Sequence, residues 1–107
     1  MAELLTEPEF RSKADEAIEG ARRALMPLAD DELFEVDVQG GVLCVEFETP
    51  APARFVVSPN APVRQIWVSA LVHSYKLSWS ATLNTFALDD ESLVALLTRL
   101  AHQHLGR

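Results

Sequence analysis

The spacing of apolar positions changes period twice along the chain, and each change marks a boundary between elements. From Phe10 onward, Ala14, Ala17, Ile18, Ala21, Leu25 and Leu28 recur at helical spacing. Thr6-Glu7-Pro8-Glu9 supplies the start: Thr6 can cap, Pro8 sits in the first turn, and Glu9 completes a Thr-x-x-Glu capping box. The pattern predicts an amphipathic helix of roughly 18–20 residues, ended by Pro27.

Period two follows. Phe34, Val36 and Val38 alternate with Glu35 and Asp37, Gly40-Gly41 reads as a turn, and Leu43, Val45 and Phe47 alternate with Val42, Cys44 and Glu46. That is an antiparallel hairpin with one face on a core. Pro50 and Pro52 interrupt it. Strands are predicted over 54–58 and 65–69, with weaker candidates at 75–79 and 84–88. Asp89-Asp90-Glu91-Ser92 then reads as the opening of a second helix, with acids where the helix dipole favours them. Leu93, Leu96, Leu97, Leu100 and Leu105 give it an apolar stripe. Helix, strands, helix in that order predicts an α+β fold. It is a two-layer α-β sandwich, with the N- and C-terminal helices on one face of an antiparallel sheet. At 107 residues, the chain is expected to form a single domain spanning 1–107.

Charge changes this picture most. The net charge is −7, but residues 1–48 carry −9 and residues 49–107 carry +2. A negative half speaks against phosphate-backbone binding, which runs on Lys and Arg, and points to cations or basic protein surfaces. No nucleic-acid partner is therefore expected. The lone Cys44 excludes an internal disulfide and a Cys-rich zinc site. There is no apolar run of the ~20 residues that a spanning helix needs. The acidic N-terminus lacks the basic region of a signal peptide. The expectation is a cytoplasmic protein without membrane association.

Asp30, Asp31, Glu32, Glu35 and Asp37 fall within eight residues, and Glu35 and Asp37 share a strand face. Gathered carboxylates suit hard cations that take oxygen ligands, although the spacing is not that of an EF-hand loop. The same run also describes a solvated acidic face that keeps a small protein soluble and protects an edge strand, which spacing alone favours. Trp67 is the second oddity. With Ile66 and Val68 pointing inward, Gln65, Trp67 and Ser69 point outward, and an outward Trp is either an interface anchor or a residue covered by a loop or by packing across the outer sheet face. His102 and His104 do not share a helix face, His73 falls at a turn, and Cys44 has no His near it in sequence. No nucleophile–base constellation defines an enzyme.

Three segments resemble the frataxin family in its bacterial, CyaY-type form. Gly40-Gly41-Val42-Leu43-Cys44-Val45-Glu46-Phe47 is similar to the family's Gly-Val-Leu-Thr-Val hairpin strand. Pro62-Val63-Arg64-Gln65-Ile66-Trp67-Val68-Ser69 looks like its Pro-Asn-(Lys/Arg)-Gln-Ile-Trp-Leu-Ser signature. The closing helix carries Ser92-Leu93 and Leu96-Leu97 in the matching place. The blocks span roughly residues 7–104 in family order. The resemblance implies an iron-binding accessory protein of iron–sulfur cluster assembly. It would hold Fe2+/Fe3+ weakly on an acidic ridge and modulate a complex of cysteine desulfurase and scaffold protein. The ridge would fall on Asp15, Glu16 and Glu19 of the helix and on Asp30, Asp31, Glu32, Glu35 and Asp37 near the first strand. Partner contacts would fall on Trp67, Gln65, Arg64 and Asn60. The resemblance further implies a monomer that forms oligomers under iron load. Some family members are credited with ferroxidase activity. The rival reading is an acidic protein-interaction module, chaperone-like and without a metal role.

The departures from the family pattern are specific. Arg22 and Arg23 stand where acids usually continue, and Arg23 shares a helix face with Glu16 and Glu19. Ser58 replaces an Asn, Val72-His73-Ser74 replaces a Gly-containing turn, and Asn84 stands where the family has a Trp, with Trp79 five residues earlier.

Overall fold

The computed structural model describes residues 5–32 and 34–106. Among the described residues, two helices pack on one face of an antiparallel sheet, as the periodicity predicts, and the sheet has seven strands where six were expected. Helix α1 runs Glu7–Glu32, strand β1 Glu35–Gln39, β2 Val42–Phe47, β3 Ala53–Asn60, β4 Gln65–Ala70, β5 His73–Ser80, β6 Thr85–Leu88, β7 Glu91–Ser92, and helix α2 Leu93–Leu105. The strands lie side by side in chain order.

The capping box at the head of α1 is formed. The Glu9 amide donates to Thr6 Oγ1 at 3.3 Å, and the Thr6 amide donates to Glu9 Oε1 at 3.0 Å. The Thr6 amide holds the Glu9 carboxyl below its ordinary pKa, because it bonds the ionised form. Phe10, Ala14, Ile18, Ala21, Leu25 and Ala29 are buried along one stripe. From the other side of the core come Leu43, Val45, Phe55, Val57, Ile66, Val68 and Leu77, and from α2 come Leu93, Leu96, Leu97 and Leu100. Phe10 meets Phe86 edge-on at 5.6 Å, and Phe47 links Phe34 to Phe55.

The first helix does not end at Pro27 as expected; it continues to Glu32. A proline inside a helix removes one hydrogen bond and its ring crowds the carbonyl four residues earlier, at a cost of about 3 kcal/mol. Here Pro27 and Arg23 both lie on the solvent face, so water can satisfy that carbonyl. The apolar stripe continues through half-buried Leu28 to buried Ala29, and the Phe34 amide closes the helix on the Ala29 carbonyl. Burial on the inner face wins. Asp30, Asp31 and Glu32 therefore belong to the last helical turn rather than to a loop.

Other expectations change as well. Asp89 and Asp90 do not open α2: both have positive φ and form the β6–β7 tip, while Glu91 and Ser92 pair with Leu88 and Ala87. Ser92 alone caps α2, accepting from the Ala95 amide at 3.2 Å. Likewise His73 is not in the turn but opens β5 opposite Ala70, and Asn84 is a left-handed turn residue before β6. His104 is held in place. Its Nε2 lies 2.9 Å from the Ala51 carbonyl and its ring 4.7 Å from Phe47, which ties the β2–β3 loop to the end of α2.

Three hairpin tips place two consecutive residues at positive φ: Gly40-Gly41, Leu71-Val72 and Asp89-Asp90. This geometry suits the right-handed twist of the strands and favours Gly, Asn or Asp. Gly has no Cβ to clash and Asp tolerates the region, but a β-branched residue does not. Val72, at φ 64°, is a genuine outlier, and its side chain is fully exposed at 102%. Leu71 packs part of its side chain on the core, but Val72 offsets its strain with no such contact. Val72→Gly is expected to raise stability by about 0.5–1 kcal/mol, after allowing for the added freedom of the unfolded chain. Thermal unfolding followed by circular dichroism checks it as a higher melting temperature.

Candidate functional site

The register of the sheet decides which acids meet. The two-residue Gly40-Gly41 tip pairs Glu35 with Glu46 and Asp37 with Cys44. Glu35, Asp37 and Glu46 alternate with the inward residues and so lie on the face away from the helices. Like charges directly opposite on a sheet repel. Helix α1 delivers Asp30 to the same place. Asp30, Glu35, Asp37 and Glu46 line one cleft with Met26 and Cys44, along the outer edge of the first hairpin.

The helix makes that corner more negative. Its last turn contains Asp30, Asp31 and Glu32 and no basic residue. The carbonyl end of a helix carries a partial negative charge, so acids there are disfavoured by about 0.3–1 kcal/mol each. One cation faces the cluster from β3: Arg54 pairs in register with Glu46, and its Nη2 donates to Cys44 Sγ at 3.4 Å. Cys44 is half-buried under that contact.

The helical acids named from the sequence do not join this cluster. Asp15 lines a groove beside Arg11, Gly40 and Gly41 at the opposite end of β1, and Glu16 lines another with Lys13, Trp79 and Asn84. Fifteen residues separate Asp15 from Asp30, about 22 Å along the helix. Glu19 is neutralised, mainly by Arg22 rather than by Arg23. Arg22 Nε donates to both carboxylate oxygens at 3.1 Å, while Arg23 Nε stands 3.9 Å away. The Arg22 hydrogen bond holds the Glu19 carboxyl below its ordinary pKa.

Glu46 is the residue that the sequence reading left out. The signal was available: a two-residue Gly-Gly tip puts position 46 opposite 35. Among the described residues, no three His, Cys, Asp or Glu side chains close around one point as a metal-holding group. The corner is an open carboxylate surface rather than a cage.

The second surface is the outer face around Trp67. Trp67 is 38% exposed, and its ring is held in place. The indole N–H donates to Gln65 Oε1 at 3.0 Å, Gln65 Nε2 donates to Ser78 Oγ at 3.2 Å, and the Lys76 ammonium lies 5.0 Å from the ring centroid. Lys76 is the register partner of Trp67 across β4–β5. Val56, Ser58, Ser69 and Ser74 floor a shallow hollow beside the ring. Of the other two named contacts, Arg64 is spent inside the molecule. It donates from Nε to the Leu5 carbonyl at 3.0 Å and from Nη1 to the Ala61 carbonyl. Asn60 ends β3 opposite Gln65, half-buried.

Comparison with known proteins agrees with the fold. The sequence profile of the frataxin-like domain matches residues 3–107. The structure is similar to that of the frataxin from Psychromonas ingrahamii, of the CyaY protein family. Its TM-score is 0.67 at 14% identity, over 92% of this chain and 90% of that one. No curated protein matches in sequence. Among the described residues, no helix is long and apolar enough to cross a membrane.

The Glu19–Arg22 pair gives a direct check. A lowered carboxyl pKa contributes stability that is present above the ordinary value of 4.5 and is lost as pH falls through the lowered one. NMR titration of the Glu19 carboxyl should show a midpoint below 4.5 in the wild type. In Arg22→Ala it should return close to 4.5.

Proposed function

The chain belongs to the frataxin-like family, which is linked to iron–sulfur cluster assembly, and on that premise we propose that it is an iron-binding accessory protein of that assembly. In this reading, Fe2+ or Fe3+ is cargo, loaded weakly on the acidic corner. A cysteine desulfurase and its scaffold protein are the partners, and the protein acts in the cytoplasm, modulating sulfur transfer rather than catalysing a reaction. The family is generally not enzymatic.

One observation carries the reading. Two elements far apart in burial pattern, the last turn of α1 and the β1–β2 hairpin, present Asp30, Glu35, Asp37 and Glu46 to one cleft. Carboxylate oxygens suit hard cations such as iron. An open set leaves most coordination positions to water, which suits weak binding and ready release. The helix dipole and the mutual repulsion of the acids raise the attraction for any cation. The same field would steer the protein toward a basic desulfurase surface. Trp67, fixed by Gln65 and Lys76, offers the scaffold protein an aromatic anchor that loses little freedom on docking. The loss of Glu19 to Arg22 moves the proposed metal contact away from the middle of α1, toward Asp30, Asp31 and the hairpin.

An anaerobic Fe2+ titration followed by amide NMR is expected to broaden Asp30, Asp31, Glu35, Asp37 and Glu46 first, leaving Asp15 and Glu19 sharp. A response centred on Glu16 and Glu19 would contradict the placement. Binding to the desulfurase should weaken markedly between low salt and about 0.5 M salt, where surface charges are screened within a few ångströms.

A further inference from the structure

The β4–β5 tip breaks the local rule that the other two tips obey. Gly40-Gly41 and Asp89-Asp90 use residues that accept positive φ, while Leu71-Val72 uses two apolar ones, and Val72 is wholly in solvent. Leu71 is explained by its contact with the core; Val72 packs on nothing among the described residues. Strained positions and breaks of a local rule concentrate where a residue serves function rather than folding.

The topology says what kind of surface receives it. The register puts Glu35 and Glu46 at one end of the sheet, and that is the end where β4 turns into β5 and β6 into β7. Helix α1 also ends there, with Asp30 in the cleft beside Glu35. The Val72 tip thus projects between two acidic flanks. Asp89-Asp90 lies about 10 Å to one side and the first hairpin about 14 Å to the other, at the usual strand spacing. Among the described residues, the basic groups at this end are Arg54, in register with Glu46, Arg99, whose guanidinium is taken up by Glu91 next to the Asp89-Asp90 tip, and the imidazoles of His73 and His104. An apolar point framed by carboxylates is repelled by an anionic membrane surface and is matched by an apolar socket in a basic protein surface.

We infer that Val72 is an anchor that inserts into an apolar socket on the basic protein partner, with the carboxylates on either side aligning it. The inference rests on the desulfurase docking proposed above and adds a contact that is neither acidic nor part of the Trp67 face. It makes an unusual demand: replacing Val72 should make the protein more stable and a worse binder at once.

The experiment measures binding of the full chain to the cysteine desulfurase of its own host at low salt, by biolayer interferometry, with melting temperatures of each variant in parallel. Val72→Gly removes the side chain and the strain, while Val72→Thr keeps the shape and the strain but places a hydroxyl in the socket. Val94→Thr, on the exposed side of α2, is the control. Both Val72 variants should bind about tenfold more weakly through faster dissociation. Val72→Gly should melt higher than the wild type, and Val94→Thr should bind as the wild type does. If both Val72 variants bind like the wild type while Asp30→Asn/Asp31→Asn binds worse, the docking stands and the anchor is overturned. If the wild type itself does not bind, the desulfurase reading fails and the anchor fails with it. If sedimentation shows a wild-type dimer that Val72→Gly dissolves, the socket belongs to a second copy of the chain and the inference is wrong.

Discussion

Everything at the acidic corner depends on one packing interaction, the unbroken seating of the α1 stripe on the sheet. Phe10, Ala14, Ile18, Ala21, Leu25 and Ala29 hold the helix against the inner face for its whole length. The last of these contacts carries the helix past Pro27. Without it, Asp30 and Asp31 would sit on a loose connection and could move away from Glu35 and Asp37. With it, the last turn is fixed, and its acids are held at the end of the helix where the dipole opposes them. Apolar burial thus imposes an electrostatic cost on one end of the molecule.

That cost orders the surfaces. The acidic corner, the Val72 tip and Asp89-Asp90 all lie at the end of the sheet where α1 finishes. The middle of α1 is balanced by the Glu19–Arg22 pair, and the outer face around Trp67 carries Lys76. A basic partner would meet the corner, and a metal ion would relieve its repulsion. The Trp67 face is free to meet something else at the same time. Such a division suits an accessory protein that joins two others better than one that acts alone.

The fold was largely legible because its two periods are clean. The capping box, the Gly-Gly tip and the alternation in β2 and β4 each have a local physical cause that appears in four to eight residues. What failed to show has causes outside the local window. Pro27 reads as a stop unless one knows that its face is in solvent, and Asp89-Asp90 reads as a helix start unless β7 is seen to pair with β6. The candidate site was half legible in its placement. Clustered acids were visible, but the register that adds Glu46, and the helix length that separates Asp15 from Asp30, needed three dimensions. Arg64 was named for its place in a motif, whereas its guanidinium is occupied by the Leu5 and Ala61 carbonyls.

The central claim is that carboxylates held together at the end of α1 store a repulsion that a bound cation relieves. Thermal unfolding of the wild type and of the variant Asp30→Asn/Asp31→Asn/Glu35→Gln/Glu46→Gln, each with and without anaerobic Fe2+, tests it most directly. The account predicts that the neutralised variant melts a few degrees higher without metal, and that Fe2+ raises the wild type but leaves the variant unmoved. A variant that melts lower than the wild type, or an equal rise with Fe2+ in both proteins, would contradict it.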